Sequence, residues 1–111
     1  MTPLCPVDSI EDPGSAGFVI ETTDGRKRAI MVVKANGHLR GYVNHCPHRG
    51  HPLDFTPGRF LDITRTFVLC ASHGALFSVE TGRCLDGPCL GDGLEPVALV
   101  VADGMIMAET T

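Results

Sequence analysis

A small all-β domain of antiparallel hairpins, built as a sandwich or open barrel, is the fold class this sequence predicts, on three observations. Gly (13) and Pro (8) make up almost a fifth of the 111 residues. Good helix formers are scattered and never recur at the 3.6-residue period. The apolar runs are short, strand-like and punctuated by turn dipeptides.

The elements follow in order. Phe18-Val19-Ile20 reads as a strand with Asp24-Gly25 as its turn, and Ala29–Val33 as the next strand. Asn36-Gly37 then marks a tight hairpin, because both central positions of the favoured two-residue turn need positive φ. Leu39–Val43 returns from it. Thr66–Leu69 is a further strand, and Ala75–Val79 another, closed by Thr81-Gly82. Val97–Ala102, the Asp103-Gly104 turn and Met105–Ala108 form a last hairpin. No linker, repeat or low-complexity tract interrupts the chain, so residues 1–111 are expected to form one domain.

Composition excludes several classes of function. The 43% hydrophobic and 20% charged residues are ordinary globular values. No apolar run approaches the roughly 20 residues of a membrane-spanning helix. The formal charge of −4 leaves no basic footprint for nucleic acid. Met1-Thr2-Pro3-Leu4-Cys5-Pro6 has neither the basic segment nor the apolar stretch of a secretory signal, so a cytoplasmic location is expected. So short a chain has little room for a substrate pocket of its own, and no small-molecule substrate is expected.

Between Asn44 and Phe60 the strand pattern breaks. His45, Cys46, His48 and His51 lie there among Pro47, Pro52 and Pro57. A second irregular patch, Cys70-Ala71-Ser72-His73-Gly74, follows Leu69. Loops on a rigid β scaffold are where binding chemistry tends to sit. Cys46-Pro47-His48 and Cys70-Ala71-Ser72-His73 each pair one thiol with one imidazole, and 21 residues separate His48 from Cys70. In extended chain, residues two apart face the same way, so Cys46 and His48 can address one centre. Gly50 and Gly74 follow the histidines, where backbone must turn or approach a bound group closely.

A Cys₂His₂ set suits zinc or an iron–sulfur centre. Zinc modules usually put both cysteines in one pair and both histidines in the other, with two or more residues between. Here each loop carries one of each. That division suits a [2Fe–2S] cluster in which two thiolates hold one iron and two imidazoles the other.

Cys46-Pro47-His48-Arg49-Gly50 with Cys70-Ala71-Ser72-His73-Gly74-Ala75-Leu76-Phe77 resembles the C-x-H … C-x-x-H signature of Rieske iron–sulfur proteins. Asn44 before the first box, Pro52-Leu53 after it, Thr81-Gly82 and Asp103-Gly104 agree with it. The similarity covers about residues 3–109, so the chain resembles a free-standing Rieske-type ferredoxin; the gap between boxes is somewhat longer than in many of these.

The resemblance implies an antiparallel three-sheet fold with a cluster-binding tip formed by two loops, about 44–60 and 70–77. It implies one Rieske [2Fe–2S] cluster with Cys46, His48, Cys70 and His73 as metal ligands. The histidine-bound iron would lie nearest the surface, making His48 and His73 the electron's exit. Pro47, Gly50, Ser72, Gly74, Ala75, Phe77 and Pro88 would support the cluster loops. High-potential members cross-link the two loops with a disulfide, but His51 and Ser72 stand at the matching positions. Those members also donate hydroxyl hydrogen bonds from a Ser and a Tyr where this chain has Ala75 and Phe77, so a low potential is expected.

The implied function is a one-electron carrier without catalytic residues, passing electrons from a flavin- or ferredoxin-type reductase to a terminal oxygenase. Two alternatives stand beside it: an accessory subunit of a nitrite-reductase-like complex, and a zinc-stabilised interaction module. Arg49, Leu53 and Leu76 form the candidate docking rim. Cys84 and Cys89 are spaced across a Gly-Pro turn, which leaves open a disulfide or, in a reducing cytosol, two thiols.

Overall fold

The structure, a computed structural model, describes residues 2–22, 25–35, 37–45, 60–62, 64, 66–70, 75–86 and 93–109. Among these the chain forms β1 (Thr2–Pro6), a single 3-10 turn (Val7–Ser9), β2 (Gly14–Glu21), β3 (Lys27–Ala35), β4 (His38–Val43), β5 (Phe67–Leu69), β6 (Leu76–Ser78), β7 (Cys84–Asp86), β8 (Pro96–Val97), β9 (Leu99–Ala102) and β10 (Met105–Ala108). Three antiparallel sheets result, ordered β1-β10-β9, β2-β3-β4-β8 and β5-β6-β7.

The centre of β3 explains why there are three sheets. Ile30, Met31, Val32 and Val33 are all fully buried. Successive strand residues point to opposite faces, so an unbroken apolar run requires cover on both. Ile30 and Val32 pack toward Ile20, Ile106 and Ala108, joining the second sheet to the first. Met31 and Val33 pack on the other side with Val68, Phe77 and Phe60, joining it to the third. The second sheet is therefore the middle layer, and the two-sided burial replaces the sandwich or open barrel that the strand pattern alone suggested.

The turns do what their residues dictate. Ala102 pairs with Met105 across Asp103 and Gly104, whose φ values of 52° and 75° are both positive, as a type I′ turn requires. Ala35 pairs with His38 across the Asn36-Gly37 hairpin, and Gly37 has φ 76°.

Several elements differ from the sequence-based expectation. The N-terminal residues form β1, which pairs with β10. Its prolines, Pro3 and Pro6, had masked the strand, but β1 is an edge strand, where proline is tolerated. The run Val97–Ala102 splits at Ala98: β8 pairs with β4, and β9 pairs with β10. β7 is a three-residue strand too short to show alternation.

Candidate metal centre

The third sheet gathers the chain at one end. β5 pairs with β6 so that Leu69 lies opposite Leu76, and Leu76 lies opposite Asp86 of β7. On the other side of β5, Leu61 bridges to Val68 and the Leu69 N–H donates to the Phe60 carbonyl at 2.7 Å. Phe60, Leu69, Leu76 and Asp86 thus stand side by side. Phe60, Cys70 and Asp86 at or beside this edge are the described residues that adjoin 46–59, 71–74 and 87–92 in sequence.

Cys70 sits at this edge and is fully buried, in the same apolar cluster as Phe60, Val68, Ala75 and Phe77. Its N–H donates to the Ala75 carbonyl at 2.9 Å, which closes the base of segment 71–74, the segment that contains His73. The other segment begins at the end of β4. There Asn44 N–H donates to the Ala29 carbonyl at 2.9 Å and Val43 N–H to the Glu95 carbonyl at 2.8 Å. These bonds fix where the chain leaves the second sheet before Cys46. His45 is exposed and lines a hollow with Arg28, Val43, Gly93 and Glu95, in which Arg28 and Glu95 form an ion pair.

The returning chain is pinned by Asp62. Its carboxylate accepts from Thr64 Oγ1 at 2.7 Å, Thr66 N–H at 3.0 Å and Phe67 N–H at 3.1 Å. Desolvation pushes its pKa upward, but these hydrogen bonds outweigh it and hold the carboxyl below the usual range.

Of the predicted site residues, the structure brings together Cys70, Ala75, Leu76, Phe77 and Cys84. Ala75 and Phe77 are fully buried, and Leu76 is half-buried beside Asp86. Cys46, Pro47, His48, Arg49, Gly50, Leu53, Ser72, His73, Gly74, Pro88 and Cys89 lie outside the described residues, as does His51. Cys84 is buried and carries a free thiol, whose Sγ donates to the Asp86 carbonyl at 3.4 Å. Among the described residues no group of three or more His, Cys, Asp and Glu converges.

Two residues at this site escaped sequence reasoning. The pairing of β6 with β7 shifts register between Leu76 and Phe77, so Leu85 is the extra residue of a β-bulge. It is 49% exposed, and bulges next to sites commonly re-aim a side chain in this way. Tyr42 is buried, and its hydroxyl donates to the Val79 carbonyl at 2.6 Å. Burial raises its pKa, with Arg40 pulling it down and Glu80 adding to the rise, so the phenol remains a donor well into alkaline pH. An isolated Tyr in a strand carries no signal of either property.

The family model described as the Rieske [2Fe-2S] domain matches residues 1–104. The chain belongs to that family. Apoptosis-inducing factor 3 of Mus musculus and of Homo sapiens are each 38% identical to this Rieske chain over 61 residues, which is 55% of this chain and 9% of theirs. The chain therefore spans a small part of the length of these curated relatives. Among solved structures, the ferredoxin of carbazole 1,9a-dioxygenase from Nocardioides aromaticivorans IC177 superposes with TM-score 0.74 at 22% identity, covering 100% of both chains. The Sphingomonas yanoikuyae B1 ferredoxin gives TM-score 0.70 at 22% identity over 98% of this chain and 97% of that one. A chain from the complex of reduced oxygenase and oxidized ferredoxin in carbazole 1,9a-dioxygenase gives 0.72 at 17% identity, covering 96% and 89%. The three-sheet all-β fold is that of Rieske ferredoxins.

A Rieske domain implies a [2Fe–2S] cluster. Of the expected donors the structure describes Cys70, and its surroundings suit such a group. Cys70 places a soft sulfur atom inside an apolar core, where a thiolate is costly unless a cation neutralises it. Ala75 and Phe77 crowd the same core without offering a competing polar group.

Proposed function

We propose that this Rieske protein is a one-electron carrier in which Cys46 and Cys70 hold the inner iron and His48 and His73 the outer one. The reading is carried by the buried Cys70 at the gathered edge of the third sheet, where its bond to Ala75 closes the base of the His73 segment. It is supported by likeness over full length to a ferredoxin of a carbazole dioxygenase. When bound, the cluster supplies a centre that takes up and gives back one electron. The chain's own residues do the rest. Cys70, buried with Phe60 and Phe77, keeps water from the sulfur side. The half-buried Leu76 and the exposed Leu85 give an apolar rim for a protein partner, to which Leu53 and Arg49 would add. The partners proposed are a flavin- or ferredoxin-type reductase and a terminal oxygenase.

Ala75 and Phe77 set the potential. Neither can donate a hydroxyl hydrogen bond, so the more negative reduced state is less stabilised. Rieske centres span about −150 to +300 mV, and this one belongs near the low end, roughly −150 to 0 mV. The test reconstitutes the protein anaerobically and adds a reductase and an aromatic-ring oxygenase. The reading predicts that oxygenase turnover depends on the chain and stops when His73 is replaced by Ala. Turnover that is unchanged without the chain contradicts it.

A further inference from the structure

Tyr42 joins two parts of the molecule that the proposed ligands divide between them. It lies on β4, four residues before Cys46, on the strand that leads to the first Cys-His pair. Its hydroxyl reaches the carbonyl of Val79, directly after β6, the strand that leads away from the second pair. The ring is 2% exposed and shares its core with Cys70, Ala75 and Phe77.

The turn beyond β6 is shaped around that ring. Gly82 has φ +75°, and a Cβ there would stand 2.6 Å from Tyr42 Cε1. The Gly82 N–H donates to the Ser78 carbonyl at 2.8 Å, and its carbonyl accepts from Leu94 N–H at 2.7 Å. Val43, next to Tyr42, donates to Glu95 at 2.8 Å. One hydrogen bond and one close contact therefore fix β4 against the β6–β7 turn, with residues 93–95 wedged alongside.

We propose that Tyr42 is a positioning residue for the cluster, holding the strand that leads into Cys46-Pro47-His48 in register with the strand that leads out of Cys70–His73. The inference rests on the ligand assignment proposed above. Ligands on two separate sheets keep one geometry only if the sheets cannot slide, and supporting contacts of this kind tune a metal centre without touching it. The hydroxyl is the part that matters, since the ring alone would fill the core but could not fix the register.

The test compares reconstituted holo-protein with two variants. Tyr42→Phe removes the hydroxyl and leaves the ring against Gly82. Ile106→Val trims a fully buried side chain in the core between the first and second sheets, and so lowers stability without touching the lock. Cluster bleaching in excess chelator and the line widths of the reduced EPR spectrum are recorded for all three. Tyr42→Phe is expected to bleach about fivefold faster than the unaltered protein, the factor that one lost buried hydrogen bond is worth. Its EPR lines broaden. Ile106→Val, melting at a similarly reduced temperature, changes neither. Either readout of Tyr42→Phe matching Ile106→Val overturns the proposal. Unaltered protein that takes up no iron overturns the ligand assignment instead, so the two failures are distinct.

Discussion

At Ala75 and Phe77 the chain buries hydrocarbon where, under the proposed ligand assignment, a hydroxyl would stabilise a reduced cluster, and each position can be reversed singly. Both are fully buried in the core that holds Cys70. Ala75→Ser and Phe77→Tyr should each raise the midpoint potential by about 40 mV, since a net hydrogen bond is worth about 1 kcal/mol and 59 mV is tenfold for one electron. Spectroelectrochemical titration reads the shift directly, and an unchanged or lowered potential in both variants would remove Ala75 and Phe77 as its cause. The family was legible at this scale because metal chemistry restricts donor types and spacing to a few residue kinds; of the proposed donors, Cys70 alone lies among the described residues. The surroundings were not legible. Tyr42 gains its role from Val79 and Gly82, about forty positions away by number, and Leu85 gains its exposure from a register shift that only pairing reveals.

Turns and strands divide along similar lines. The turns at Asp103-Gly104 and before His38 were readable because positive φ, observed at Asp103, Gly104 and Gly37, selects Asn, Asp and Gly locally. β1 and β7 were not, since neither owes its existence to its own sequence: β1 is a strand because β10 pairs with it, and β7 because β6 does. The Thr81-Gly82 turn was predicted, but its deeper constraint was hidden. Gly82→Ala must place a Cβ at φ +75° and into the Tyr42 ring, which should cost about 3 kcal/mol in a denaturant titration. A variant as stable as the parent would show that the turn and ring are not in contact. The 62–67 turn adds a pH dependence. Asp62 has its pKa lowered on folding, so its contribution is present above its unfolded value of about 3.9 and is lost as pH falls through the folded value. Asp62→Asn should be less stable at neutral pH by about 0.5 kcal/mol, the screened worth of a solvent-facing carboxylate. The difference should close in acid, and a gap of constant size across pH would assign the loss to something other than charge.

The whole molecule is a three-layer arrangement in which the middle sheet buries both faces. The run Ala29–Val33 already carried that information: strict alternation would have meant one wet face, and four consecutive buried residues mean none. In this layering the third sheet covers one face of the middle sheet, while β1, β9 and β10 close the far side with Ile106 and Ala108 in the core. Membership of the Rieske family and the buried position of Cys70 both support the proposed arrangement, two thiolates on one iron and two imidazoles on the other. Pulsed EPR on the reduced, reconstituted protein tests it most directly. Two histidine ligands should give a rhombic signal with an average g below the free-electron value and hyperfine couplings to the nitrogens of two imidazoles, both lost with the cluster when Cys70 is replaced by Ala. A cluster signal with no nitrogen coupling, or a colourless protein holding one zinc per chain, would contradict it.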